Sequence, residues 1–301
     1  MNNGLGIDLG GSHVSALIIT PEGRVVESEY VAITNHKQDV VIDAIVECVR
    51  SLSQSFTSIG MSVPGNVDPI KRTARYMPSF DWGGEVALGA ILERELGLPV
   101  DMRNDGRCAA IAESEFGVGQ GSKVFALLTL GTGIGGGLMI DGKLFDGASF
   151  DSGDFGHHVI RAGEDGFPCV CGKSGCFEMH ASAAGLVRHY ARCGGKADNA
   201  AQVMERFREG DAKAREAMRT YQDDLSTGIA NLITFYNPDT IAVGGGLSQA
   251  PEVFDTLMEQ VDAKTLPMTR WKTRILPTAL GPDAGAIGAA RLGMISAKAI
   301  V

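Results

Sequence analysis

Long hydrophobic runs are missing from this chain. No apolar stretch in its 301 residues reaches the ~18 needed for a membrane span. Positive charge is scarce too. With 27 Lys and Arg against 36 Asp and Glu, the formal charge is −9, opposite to the basic footprint that nucleic-acid binding requires. The N-terminus, MNNGLGIDLGG, has neither the cationic segment nor the apolar core of a secretory leader. A disulfide framework is also absent. Cys48, Cys108 and Cys193 are scattered, and the other three cysteines crowd into one loop. This usage predicts a reducing, cytoplasmic setting with metal-bound rather than cross-linked thiols.

That loop reads GDFGHHVIRAGEDGFPCVCGKSGCFE over residues 153–178. Cys169, Cys171 and Cys176 with one imidazole make a tetrahedral zinc set. Four protein ligands leave no position for water, so the zinc is structural. His157, His158 and His180 are all candidates for the fourth ligand, and spacing does not choose among them. Such a metal would pin a glycine-rich loop that could not fold on a hydrophobic core of its own.

At 44% hydrophobic residues the chain can bury a core, and its 40 glycines cluster, as in Gly131–Gly137 and Gly244–Gly246. The pattern runs twice. Residues 4–20 read as strand, glycine turn, strand, with a third strand over Val25–Tyr30. Val41, Ile45, Cys48, Val49 and Leu52 fall on one helical face. A strand ends at Pro64-Gly65, a helix spans Val86–Leu96, a short strand spans Pro99–Met102 and a helix spans Arg107–Phe116. The cycle then restarts with a strand at Val124–Leu130, the turn GTGIGGG and a hairpin at Asp141-Gly142. A long helix around Ala214–Ile233 stops at Asn237-Pro238. A strand at Thr240–Val243 leads into Gly244, a last strand covers Thr273–Pro277, and a last helix covers Ala284–Lys298. Two similar α/β lobes are expected, with a ligand cleft between them.

Each glycine turn has two readings. Asp8-Leu9-Gly10-Gly11-Ser12 is either an ordinary hairpin turn or a phosphate cradle, with Asp8 holding Mg²⁺ through water. Gly131–Gly137 lacks the GK[ST] of a P-loop and precedes a strand rather than a helix, so a second phosphate turn fits it better. Gly244-Gly245-Gly246 is either a bare turn or a surface for a flat ring. Asp105 is either the N-cap of its helix or a general base for a hydroxyl.

Taken together these segments resemble the ROK family of sugar kinases, within the actin-like, hexokinase-like ATPases. The resemblance runs from about Gly4 to Gly293. It rests on DLGGS, SVPGNVD at 62–68, RNDGRCAA at 103–110, LGTGIGGG at 130–137, GHHVI with CVCGKSGCFE, and AVGGGLS at 242–248. It implies two actin-like (ribonuclease H-like) lobes: residues 1–113 joined by a C-terminal helix of about 284–301, and residues 114–283 carrying the zinc loop 157–178. It implies ATP, Mg²⁺ and structural Zn²⁺, a small-molecule sugar substrate, and a homodimer. Asp105 would be the base, while Asn104 and Glu178 would bind sugar hydroxyls. His157 would ligate zinc beside the sugar, with Cys169, Cys171 and Cys176. Gly10, Gly11, Ser12, Thr132 and Gly133 would hold phosphates, and Gly244, Gly245 and Gly246 the adenosine.

Two positions depart from the family pattern. Asp154 stands where the family has Glu, and Ser79, after Pro78, stands where it has Asn. Both shorten a polar side chain at the expected sugar pocket, which implies a roomier site or water-bridged contacts. Glucose to glucose 6-phosphate is the first expectation. Fructose, mannose, allose, N-acetylmannosamine and N-acetylglucosamine are alternatives, as is a non-catalytic sugar sensor. Only seven residues precede Asp8, too few for the DNA-binding module of the family's repressors. A filament-forming actin relative would leave the cysteine loop unexplained.

Overall fold

The structure, a computed structural model, describes residues 2–77, 79, 80, 82–270 and 272–299, with only the backbone of 270 and 299. Pro78 and residues 300–301, where the sequence-based helix is expected to end, lie outside the described residues. Two compact units emerge: residues 1–121, 137–152 and 279–301, and residues 122–136 and 153–278.

In the first unit, β1 (Gly4–Leu9), β2 (His13–Ile19) and β3 (Val25–Ala32) form an antiparallel meander. Helix α1 (Gln38–Arg50) leads to β4 (Ser58–Val63), parallel to β1. A small hairpin follows, β5 (Asn66–Asp68) with β6 (Thr73–Tyr76). Then come α2 (Leu88–Leu96), β7 (Val100–Asn104) and α3 (Asp105–Phe116). The sheet order is β3-β2-β1-β4-β7.

The alternation in β1 decides what each face meets. Leu5, Ile7 and Leu9 join the core with Val41, Ile45 and Val49 of α1. Gly4, Gly6 and Asp8 point the other way, toward α10 (Ala284–Ala299). The absence of side chains lets that helix lie directly on the sheet. A Cβ on Gly6 would come within 1.9 Å of the Ala286 carbonyl oxygen, and one on Gly60 within 1.8 Å of that of Ala289. Asp8 thereby ends up beside Gly285, in the first turn of α10, where the helix dipole favours an anion.

The β5–β6 hairpin has no counterpart in the sequence-based expectation. Its strands are too short for a periodicity signal, but Asp68 starts it in a readable way: its Oδ1 accepts from the N–H groups of Ile70 and Lys71.

The second sheet has the order β10-β9-β8-β11-β12. It comprises β8 (Val124–Leu130), β9 (Ile134–Ile140), β10 (Lys143–Leu144), β11 (Thr240–Gly244) and β12 (Arg274–Pro277), with β8, β11 and β12 parallel. The helices of the second unit are α4 (Phe177–Ala181), α5 (Ala183–Arg192), α6 (Ala200–Arg208), α7 (Ala212–Tyr236), α8 (Leu257–Lys264) and α9 (Pro267–Arg270). The 25-residue α7 packs against α4, α5, α6 and α8. A left-handed Asn237 ends it before Pro238, as predicted. Among the described residues no helix is long and apolar enough to cross a membrane.

Candidate active site

In the first unit, the first glycine turn and the N-terminus of α3 carry the predicted residues. The Gly10 N–H donates to the His13 carbonyl oxygen at 2.8 Å, closing the turn between β1 and β2. Gly11 sits against Ser79, whose Oγ would be 3.0 Å from a Cβ there. Ser12 Oγ lies 3.4 Å from His13 Nδ1. Asp8 has its carboxyl pKa raised, chiefly by burial. The Ser62 hydroxyl opposes this shift, and the negative charges of Asp105 and Asp283 reinforce it. His13 also opposes the shift, and a buried carboxylate of raised pKa is one that a divalent cation would stabilise in its charged form.

Asn104, rather than Asp105, is the N-cap of α3. Its Oδ1 accepts from the Gly106 N–H at 3.0 Å, and its Nδ2 donates to the Gly65 carbonyl oxygen at 2.9 Å. An amide has four hydrogen-bonding positions, so capacity for a ligand remains. Asp105 is the first helical residue, and its Oδ1 also accepts from Gly106 N–H, at 2.8 Å. The cap is supplied by its neighbour, so Asp105 is not the N-cap.

In the second unit, the turn Gly131–Gly133 is pinned from two sides. The Gly131 carbonyl oxygen accepts from Ala183 N–H at 2.9 Å, and Gly131 N–H donates to the Gly133 carbonyl oxygen at 3.0 Å. Glu178 reaches across from α4, and its Oε2 accepts from Ile134 N–H at 3.0 Å. A Cβ on Gly133 would lie 2.3 Å from that same oxygen. The obstacle is the end of a flexible side chain, so Gly133→Ala should fold and push Glu178 aside. If Glu178 binds a sugar hydroxyl, as the resemblance implies, the sugar KM should rise about tenfold, with a melting temperature lowered only by the loss of the Glu178–Ile134 bond. Steady-state kinetics beside a thermal melt checks it.

Thr132 lines a cavity of about 490 Å³ with Leu130, Ala201 and Met204, bordered by Arg208 and Gly246. Its lining is mostly small and apolar, with Thr132, Arg208 and Gln249 as the polar side chains. That composition suits a heteroaromatic base with a phosphate tail near the glycine turn. Gly245 is left-handed at φ +89°, and a Cβ there would be 2.5 Å from the Leu130 carbonyl oxygen. Gly244 sits against the Thr278 side chain. The α6 wall was missed in the sequence, although Ala200, Ala201 and Met204 recur at helical spacing. Another cavity of about 500 Å³, lined by Arg291, Met294 and Lys298 in the first unit, touches none of the motif residues.

The cysteine loop follows Asp154, which precedes the short 3₁₀ turn Phe155–His157. Donor atoms of His157, Cys169, Cys171 and Cys176 all lie within 4.8 Å of one another. Cys171 and Cys176 Sγ are 3.5 Å apart, and His157 Nδ1 is 3.8 Å from Cys169 Sγ. Tetrahedral zinc with Zn–S bonds of about 2.3 Å spaces its sulfurs about 3.8 Å apart, so the four fit a zinc ion. Burial first, then Cys171 and Cys169, pushes the Cys176 thiol up to about 12. Three thiolates cannot coexist here without a cation. Structure also selects the histidine. His158 directs Nδ1 at the Phe155 carbonyl oxygen, 2.6 Å away, and His180 lies with Asp224 elsewhere.

The sequence profile of the ROK family matches residues 4–294. A glucokinase of Streptomyces coelicolor is 30% identical over 309 aligned residues, covering 96% of this chain and 96% of the relative. An N-acetyl-D-glucosamine kinase of Shigella boydii is 32% identical, covering 95% and 98%. Among solved structures, a ROK family glucokinase from Streptomyces griseus in complex with glucose and AMPPNP superposes with a TM-score of 0.81 at 31% identity, covering 97% of this chain and 99% of that one. The α/β fold with two mixed sheets is therefore of the actin-like ATPase type. A match of this length, joined to the glycine turns and the Cys₃His loop, makes the chain a member of the ROK family, a kinase that acts on sugars.

Proposed function

We propose that the protein transfers the terminal phosphoryl group of ATP to a hexose, with glucose to glucose 6-phosphate as the leading reaction. Asp105 accepts the proton of the attacking hydroxyl as its oxygen bonds to phosphorus and ADP departs. The observation that carries this reading is the place of Asp105 as the first residue of α3, with the cap already provided by Asn104 and with Asp8 in the same unit. Mg²⁺, when bound near Asp8, would offset phosphate charge. Gly10, Gly11, Ser12, Thr132 and Gly133 hold phosphates, and the cavity beside Gly244–Gly246 holds the adenosine. Ser79, Asn104, Asp154, His157 and Glu178 bind the sugar. Zinc on His157, Cys169, Cys171 and Cys176 would supply fixed geometry rather than reactivity. A cytoplasmic homodimer completes the proposal. Sugar-dependent release of ADP tests the activity, and size-exclusion chromatography with light scattering tests the dimer.

A second reading, a kinase for another hexose or an N-acetylhexosamine, draws on Asp154 and Ser79, the two shortened side chains. Asp154→Glu restores one methylene. If the pocket is roomy for that reason, the kcat/KM ratio of glucose over N-acetylglucosamine should rise about tenfold. An unchanged or lower ratio contradicts the idea.

A further inference from the structure

A buried ionisable cluster lies beside the cysteine loop and has no part in the chemistry assigned above. The side chains of Asp224 on α7, His180 on α4 and His189 on α5 are 3%, 0% and 2% exposed. Arg161 joins them from the loop itself, its Nε donating to Asp224 Oδ1 at 2.5 Å. Asp224 Oδ2 is 3.0 Å from His189 Nε2 and 3.5 Å from His180 Nδ1. Neither approach meets full hydrogen-bond geometry, so charge and dipole hold that side of the carboxylate. Burial by itself would raise the Asp224 pKa. His180, His189 and Arg161 outweigh it and hold the carboxyl well below the usual range.

By spacing, the three side chains could hold a metal ion. The hydrogen bonds argue for a different role. Phe167 N–H donates to His180 Nε2 at 3.1 Å, so Nε2 keeps its lone pair and the proton of the neutral ring sits on Nδ1, facing Asp224. His189 Nε2 faces two acceptors, Asp224 Oδ2 and the His180 carbonyl oxygen at 3.1 Å, and carries its proton there. Both ring nitrogens that look at the carboxylate are donors, and neither has a lone pair for a metal. The cluster is one anion gathering a guanidinium and two N–H dipoles.

Each partner is tied to a segment that must be placed for sugar binding. Arg161 N–H donates to the carbonyl oxygen of Gly175, the neighbour of Cys176, at 3.3 Å. Phe167, two residues before Cys169, stacks on His180 at 4.5 Å and is capped by the Arg192 guanidinium at 4.4 Å. His180 lies two residues after Glu178 in the five-residue α4. A buried carboxylate whose partners come from three separate segments is satisfied in one arrangement of them. We propose that Asp224 is a positioning residue, fastening the cysteine loop and α4 to the scaffold helix α7. It thereby presents His157 and Glu178 in register without relying on the metal alone. The proposal rests on the hexose-kinase reading above.

The test uses the full, zinc-loaded chain with Asp224→Asn and Arg161→Lys. It measures KM for sugar and for ATP, kcat, and the rate of zinc release to a chromogenic chelator. Loss of a group that orients ligands typically costs 10–100-fold. Asp224→Asn should therefore raise the sugar KM and the zinc release rate about tenfold or more, leaving the ATP KM unchanged. Arg161→Lys keeps the charge but loses the planar fork, and should change the same two quantities by less. A lower melting temperature with sugar KM and zinc release unchanged would make Asp224 merely structural and overturn the proposal. If Asp224→Asn does not fold, Arg161→Lys decides by the same criteria. If the wild type phosphorylates no sugar, the hexose-kinase reading fails by itself. The zinc release rates then still decide the anchoring role, with equal rates overturning it.

Discussion

Asp105→Asn is expected to lower kcat by about 10²–10⁴, the range for removing a general base, while the sugar KM stays within about threefold. The asparagine keeps the shape of the side chain and an oxygen able to accept from Gly106 N–H, now at 2.8 Å, so α3 should start as before. What it removes is the proton acceptor. Because the N-cap is Asn104, helix α3 keeps its start, and thermal stability should be close to that of the wild type. This separation makes the variant informative, since a loss of activity cannot be attributed to a lost cap. Steady-state kinetics with a coupled ADP assay and a parallel thermal melt check it. A variant with near wild-type kcat would remove Asp105 from the chemistry.

Removing zinc should have an effect of similar size by a different route. The cysteine loop has a small core of its own, formed by Cys169, Cys176 and Met179 with Phe167 packed against them, so most of its order has to come from the metal. Structural zinc sites in small domains contribute on the order of 10 kcal/mol. Chelation, or Cys176→Ser, should therefore loosen residues 157–178 and take His157 and Glu178 out of register. Sugar binding should weaken by about 100-fold or more, while the cavity at Gly246 and Met204 should still bind nucleotide. Hydrogen exchange over the loop, with calorimetric titration of sugar and of an ATP analogue, separates the two effects. The pH dependence has a definite sign. Zinc needs thiolates, and Cys176, at about 12 without metal, is protonated at neutral pH. Binding must release protons, and affinity must fall as pH falls. Zinc uptake without proton release contradicts this picture of the site.

Much of the fold can be read in the sequence wherever a pattern is periodic and local. GLGIDL in β1 alternates so cleanly that one face had to be core and the other a glycine surface, and α10 supplies the helix that uses it. The strand–glycine turn–strand openings of both halves appear as expected, as do the long helix α7 and its stop at Asn237. What stayed hidden depends on three dimensions. The β5–β6 hairpin is too short for periodicity to register. Asn104 outcompetes Asp105 for the cap because of where β7 ends, which a motif does not specify. Spacing left three histidines open for the metal, and only the folded loop brings His157 to the cysteines. Asp224 lies mid-helix among ordinary core residues, and nothing in its local sequence announces Arg161, 63 positions away.

The central claim is ATP-dependent phosphorylation of a hexose through Asp105. Its most direct test is ADP release with ATP and Mg²⁺ over glucose, mannose, fructose, allose, N-acetylglucosamine and N-acetylmannosamine, with Asp105→Asn run alongside. Turnover of at least one of these sugars, glucose first, is expected, with loss of that turnover in the variant. Folded, zinc-loaded protein that releases no ADP with any of them, or a variant as active as the wild type, would contradict it.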